Sequence, residues 1–162
     1  MFSSVRPSRR AAPGFTLVEL LVVIAIIAAL ATYAVISLVD VRRQARDLKR
    51  VEDMRSLWLA LELYNDDHHG YPLALDPVVL GTAGYQALCS NGFQAACPQG
   101  DQFFQHDIPQ AVRPFDGDCT EDTNDYRYQT PHNGEFRIDF CLGGKVGELK
   151  GGLHNVTPSG IQ

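Results

Sequence analysis

Neither glycine nor proline occurs between Phe15 and His69, so nothing in that stretch breaks a helix. From Phe15 to Val39 charge is nearly absent too. Glu19 is the one charged side chain, and Thr16, Thr32, Tyr33 and Ser37 are the only other polar ones. A soluble core helix of this length would need a polar face, and there is none. About 20 apolar residues suffice to cross the hydrocarbon core of a bilayer, so residues 15–39 read as a membrane helix. The run is longer than a signal-peptide core and no A-x-A cleavage site follows it, so an ordinary secretory signal fits poorly. No cysteine follows it closely either, which excludes a lipoprotein.

Other absences narrow the chemistry. There is no C-x-x-C pair, no glycine-rich phosphate loop and no Ser-His-Asp order. No carboxylate pair stands out for acid–base work, and catalysis is not expected. The distal part is poor in cations: residues 51–162 hold six Lys/Arg against sixteen Asp/Glu, whereas residues 1–50 hold eight against three. Nucleic acid is therefore not an expected partner, because phosphate binding needs clustered Lys/Arg.

Four cysteines are present, Cys89, Cys97, Cys119 and Cys141, all beyond the apolar run. An even number in a domain suited to export suggests two disulfides and an oxidising compartment. Three connectivities exist. The near-neighbour scheme, Cys89 with Cys97 and Cys119 with Cys141, is the simplest, and free thiols or a metal are the alternatives.

Residues 1–14 are short and basic, with Arg6, Arg9 and Arg10, and read as a leader. Beyond Val39 the helical pattern continues and becomes amphipathic. Val51, Met54, Leu57, Trp58 and Leu61 recur at three- and four-residue steps, giving one apolar face. Asp40, Arg42, Arg43, Arg46, Asp47, Lys49 and Arg50 cover the preceding turns. Leu48, Leu59 and Leu63 lie off that face and fit either further core or contacts between subunits. His69-Gly70-Tyr71-Pro72 ends the helix, with the glycine suited to the cap.

From Pro72 to about Asp125 the chain is loop-rich, with one short helix expected near Gly84–Cys89. Residues 126–129 suggest a short strand and Pro131-His132-Asn133-Gly134 a turn, Asn-Gly being a strong hairpin signal. Residues 135–140 alternate, with Phe136, Ile138 and Phe140 on one face. The glycine-rich tail offers a third, edge strand. The expected fold is α+β: a long N-terminal helix, transmembrane in its first half, packed on a small antiparallel sheet. The expected segments are 1–14 leader, 15–39 membrane or filament-core helix, 40–71 amphipathic helix and 72–162 globular head.

Gly14-Phe15-Thr16-Leu17-Val18-Glu19 resembles the processing motif of type IV prepilins and type II secretion pseudoprepilins. Residues 45–50, 53–55, 60–64 and Gly70-Tyr71-Pro72 look like the helix and exit turn of the major-pseudopilin branch. The resemblance implies cleavage after Gly14 by a membrane prepilin peptidase and methylation of the new amine of Phe15. It also implies a precursor in the inner membrane, head outside the cytoplasm, that polymerises into a periplasmic or cell-surface filament. Its partners would be further copies, minor pilins or pseudopilins, and an inner-membrane platform and ATPase. Gly14 gives a peptidase an unhindered backbone. A lone carboxylate in a membrane helix costs roughly 3 kcal/mol, and a staggered neighbour could offset that by setting its Phe15 ammonium against Glu19. The basic flank at Arg42–Arg50 alone would favour the opposite orientation; the motif, cut on the cytoplasmic side, decides against it. The reading from a different class is a monomeric signal-anchored extracytoplasmic binding domain.

No cofactor is expected except calcium, for which Asp116, Asp118, Glu121, Asp122 and Asp125 supply oxygen donors in one loop. Major pseudopilins carry a structural calcium in their C-terminal loop, but Leu142-Gly143-Gly144-Lys145 replaces their Asp-containing pattern here. A solvated acidic loop is the competing reading. His68 and His69, beside Asp66 and Asp67, read as a helix C-terminal cap favoured by the dipole rather than as metal ligands.

Overall fold

A computed structural model describes residues 14–131 and 134–162 of the chain. It is α+β, with a 52-residue helix α1 (Leu17–His68) preceding all the strands. The chain divides into two compact units, one ending at Val39 and one running from Asp40 to Gln162. The leader, Arg6, Arg9 and Arg10 included, lies outside the described residues apart from Gly14, as does the centre of the expected turn at His132-Asn133.

In the first unit the helix is long and apolar enough to cross a membrane. Its large side chains face outward, from Leu17 and Leu20 to Leu30 and Val35. Among the described residues of this unit no element covers them, so a bilayer or other helices must supply the apolar surroundings.

In the second unit, Val51, Met54, Leu57, Leu61 and Tyr64 of α1 are buried, and Trp58 is partly buried against them. They pack on the inner residues of a five-stranded sheet with strands β1 (Val78–Val79), β5 (Arg127–Gln129), β6 (Arg137–Leu142), β7 (Gly152–Thr157) and β8 (Gly160–Ile161), in that order. All neighbours are antiparallel. Phe136, Ile138 and Phe140 are buried as their alternation requires. The glycine-rich tail supplies two strands rather than one. Its longer strand β7 is interior, Ile138 facing Val156 and Phe140 facing His154, and β8 forms the edge.

The segment expected to hold a short helix near Gly84–Cys89 is instead part of a second sheet. Strands β2 (Ala87–Cys89), β3 (Gly92–Gln94) and β4 (Phe103–Gln105) pair antiparallel in the order β3-β2-β4. Gly92, at φ 89°, allows the tight β2–β3 reversal, and Phe93 meets Tyr128 of the larger sheet edge-on at 4.8 Å. A single-turn helix α2 (Glu121–Asn124) forms inside the acidic run, capped by Thr120 and Thr123.

The end of α1 also differs from expectation. His69, not Gly70, takes the left-handed conformation, at φ 55°, and its N–H donates to Asn65 O at 2.8 Å. That conformation costs an L-residue roughly 1 kcal/mol, a cost glycine escapes. His69→Gly should therefore raise the melting temperature by about 3 °C, the equivalent of ~1 kcal/mol; an unchanged or lower value in thermal circular dichroism would refute this assignment.

A candidate assembly site at the helix start

Gly14 has no heavy atom within 4 Å of the position a Cβ would occupy, and Phe15 is 77% exposed. Among the described residues nothing crowds the bond between them. The next turn contains a feature the sequence reading passed over. Thr16 Oγ1 accepts from the Glu19 N–H at 3.2 Å, and Glu19 Oε2 accepts from the Thr16 N–H at 2.9 Å and from Thr16 Oγ1 at 2.8 Å. This is a reciprocal capping box, and T-x-x-E before an apolar run is its sequence signature. The carboxylate thus has local neutral donors at the positive end of the helix dipole. Both of these contacts fall on Oε2, and neither partner is a cation.

In the distal half of the helix, two of the charges on the turns before the apolar face are buried. Asp47 and Arg50 are 1% and 0% exposed. Arg50 Nη1 donates to Asp47 Oδ1 at 2.7 Å, and its Nη2 faces Val112 O at 2.9 Å, Pro114 O at 3.2 Å and Asn124 Oδ1 at 3.0 Å. Asp47 Oδ1 also accepts the Gly143 N–H at 2.9 Å. Arg46 closes the set with a bidentate pair to Asp116, Nε to Oδ2 at 2.7 Å and Nη2 to Oδ1 at 2.6 Å. Two cations and two anions cancel, which is the condition for burying them. The sequence carried a signal: Asp47 lies four residues before Val51, and Arg50 four before Met54, on the stripe that becomes core. A charge on such a stripe requires a partner.

This arrangement disperses the calcium candidates. Asp116 is held by Arg46, with Arg50 Nη1 at 3.6 Å. Glu121 and Asp125 each face Arg113 at 3.3 Å, and Asp122 faces Arg127 at 3.9 Å. Asp118 joins none of these pairs. Among the described residues no group of three or more His, Cys, Asp or Glu side chains is placed to hold a metal ion.

The cysteines pair as Cys89–Cys97 and Cys119–Cys141. The second disulfide ties the 112–124 loop to β6, beside the Asp47–Gly143 contact. The His68 ring stacks on Tyr64 at 4.1 Å, and its Nδ1 lies 3.1 Å from the Tyr64 carbonyl oxygen, so it closes the helix end. A groove of about 600 Å³ crosses β5, β6 and β7, but its charges are already engaged, Arg137 with Asp139 at 2.6 Å and the Arg127 Nε with Asp122 O at 3.0 Å.

The hydrogen bonds from Arg46 hold the Asp116 carboxyl below the usual range. A depressed folded-state pKa adds stability above the unfolded value, near 3.9, and that stability is lost as pH falls through the lower folded value. The wild-type melting temperature should accordingly fall on acidification below about pH 4. Asp116→Asn should start lower and show a shallower acid slope; an identical slope between pH 6 and 2.5 would remove Asp116 from this role.

The prokaryotic N-terminal methylation motif matches residues 9–35. Type II secretion system core protein G of Escherichia coli (strain K12) is 44% identical over 59 residues, 36% of this chain and 41% of the relative. The same-named protein of Pectobacterium carotovorum subsp. carotovorum is 42% identical over 59 residues, 36% of this chain and 38% of the relative. The chain thus spans about two-fifths of the length of these curated relatives. No solved structure matches it. Over these stretches the chain is similar to proteins that carry the methylation motif and to type II secretion system core protein G.

Proposed function

We propose that this chain is a structural, non-catalytic subunit of a type II secretion pseudopilus or type IV pilus-like filament. A prepilin peptidase cuts after Gly14, and the Phe15 amine is methylated. The subunit waits in the inner membrane with its head outside the cytoplasm and then joins a periplasmic or surface filament. Its partners are other copies, minor pseudopilins and the inner-membrane platform and ATPase. The observation carrying this reading is the Gly14–Glu19 motif at the head of an apolar helix that no described residue covers. In the filament those side chains pack against one another, and leaving them in water instead would cost about 25 cal/mol per Å². Glu19 sets the register: Oε2 serves the cap, and Oε1 is available to the ammonium of a neighbouring Phe15.

The test is the mass of the N-terminal peptide after co-expression with a prepilin peptidase. A peptide beginning at Phe15 with one added methyl is the expected result. An uncut chain, beside a control prepilin that is cut in the same cells, would leave a signal-anchored domain instead.

A further inference from the structure

The unit from Asp40 to Gln162 carries two apolar surfaces that no described residue covers. The first is on α1. Val41, Leu48, Leu59 and Leu63 are 56%, 59%, 55% and 51% exposed, and steps of seven, eleven and four residues put them on one helical face, turned away from the core residues Met54, Leu57 and Leu61. Arg55 sits in this stripe, exposed and without a salt bridge among the described residues. The second surface follows the helix. Leu73 and Leu75 are 74% and 71% exposed, yet they are not on a free loop. Between them, the Ala74 N–H donates to Thr130 Oγ1 at 2.5 Å and Ala74 O accepts the Thr130 N–H at 2.8 Å. Tyr128 Oη donates to Pro72 O at 2.7 Å. The segment is a fixed two-leucine prong, and Asp76, also exposed and without a salt bridge among the described residues, ends it.

We infer that the prong of one copy docks on the helix stripe of another, Leu75 and Leu73 meeting Leu59 and Leu63, which one helical turn spaces about as far apart, while Asp76 meets Arg55. Three observations select a second copy as the occupant. The stripe also bears Glu52, 3.8 Å from Lys49, and ends at the exposed Asp66, but the charge one turn from Leu59 is Arg55 and the charge beside Leu75 is Asp76, of opposite sign. The two patches are different surfaces of one unit, so their union is heterologous, the kind of contact that repeats into a helical array instead of closing as a dimer. The prong is held rigid by the sheet and so loses little freedom on docking. The inference rests on the filament reading above and adds to it a head-to-helix contact outside the membrane segment.

The experiment uses full-length chains assembled in cells. One chain carries Leu59→Cys and the other Leu75→Cys, joined by a short bismaleimide that leaves paired cysteines alone. The expected result is a crosslinked dimer with both chains present and none with either alone. Arg55→Asp should lower filament yield about tenfold, the effect of ~1.4 kcal/mol per contact, and Asp76→Arg in the same chain should restore it. Unchanged circular dichroism shows that the variants fold. Filaments that need Glu19 but give no 59–75 crosslink would overturn the head contact and leave the filament reading intact. Crosslinks of Leu59→Cys to itself would mean a two-fold contact and overturn it as well. A wild-type chain that is never cut and never assembles removes both readings.

Discussion

Arg50→Ala should be the most damaging single substitution in the head. Arg50 is fully buried and faces Asp47, Asn124 and two carbonyl oxygens, those of Val112 and Pro114. Removing one partner from a buried ion pair costs about 3–5 kcal/mol, because the remaining charge stays without compensation. A small domain has only about 5–15 kcal/mol in all, so the melting temperature should drop by roughly 10–20 °C. An exposed pair makes the contrast: Arg43 and Asp40 are 3.3 Å apart with side chains 41% and 58% exposed. Such pairs are worth about 0–1 kcal/mol, so Arg43→Ala should have little effect. The double variant Arg50→Met with Asp47→Asn should recover part of the loss, since neither charge is then left alone. Equal melting temperatures for Arg43→Ala and Arg50→Ala, measured on the full chain in detergent, would show that the buried network does not hold the head together.

The network also shows what could be read in the sequence and what could not. The long helix was legible because propensity and hydropathy agree over its whole length. Strands β5 and β6 were legible from their composition and alternation. The second sheet was not. Its strands have three residues each, too few for a period to emerge, and Ala87-Leu88-Cys89 fits a helical turn as well as a strand. Partners decide there: Gly92 permits the reversal, and the Cys89–Cys97 disulfide and Phe93 anchor the sheet. The burial of Asp47 and Arg50 was not legible for a related reason. Taken one at a time, charged residues on a helix belong outside. Together with Asp116 and Arg46, seventy residues apart, they form a neutral cluster that burial tolerates. Long-range pairing of that kind leaves no periodic trace. The capping box at Thr16 is the opposite case, a local pattern in plain view, eclipsed by the more distant partner expected for Glu19.

That eclipse sets the second large effect, and it can be resolved with two substitutions at one position. Glu19→Ala should abolish filament formation while improving insertion of the precursor, because a carboxylate in an isolated membrane helix costs roughly 3 kcal/mol. Loss of assembly alone cannot say why, since the same change removes the cap to Thr16, worth about 1 kcal/mol. Glu19→Gln separates the two. Glutamine can keep the reciprocal bonds with Thr16 but cannot offer a charge to the ammonium of a neighbouring Phe15. If the intersubunit pair sets the register, Glu19→Gln should fail to assemble nearly as completely as Glu19→Ala. A loss of about 3–5 kcal/mol per contact lowers each association constant by roughly two to four orders of magnitude. Filaments of Glu19→Gln at wild-type yield, counted by electron microscopy at matched expression, would leave Glu19 with a capping role only. Processing should be unaffected in both variants, because Gly14 and Phe15 are untouched. The mature mass of each chain therefore distinguishes a failure to assemble from a failure to be cut.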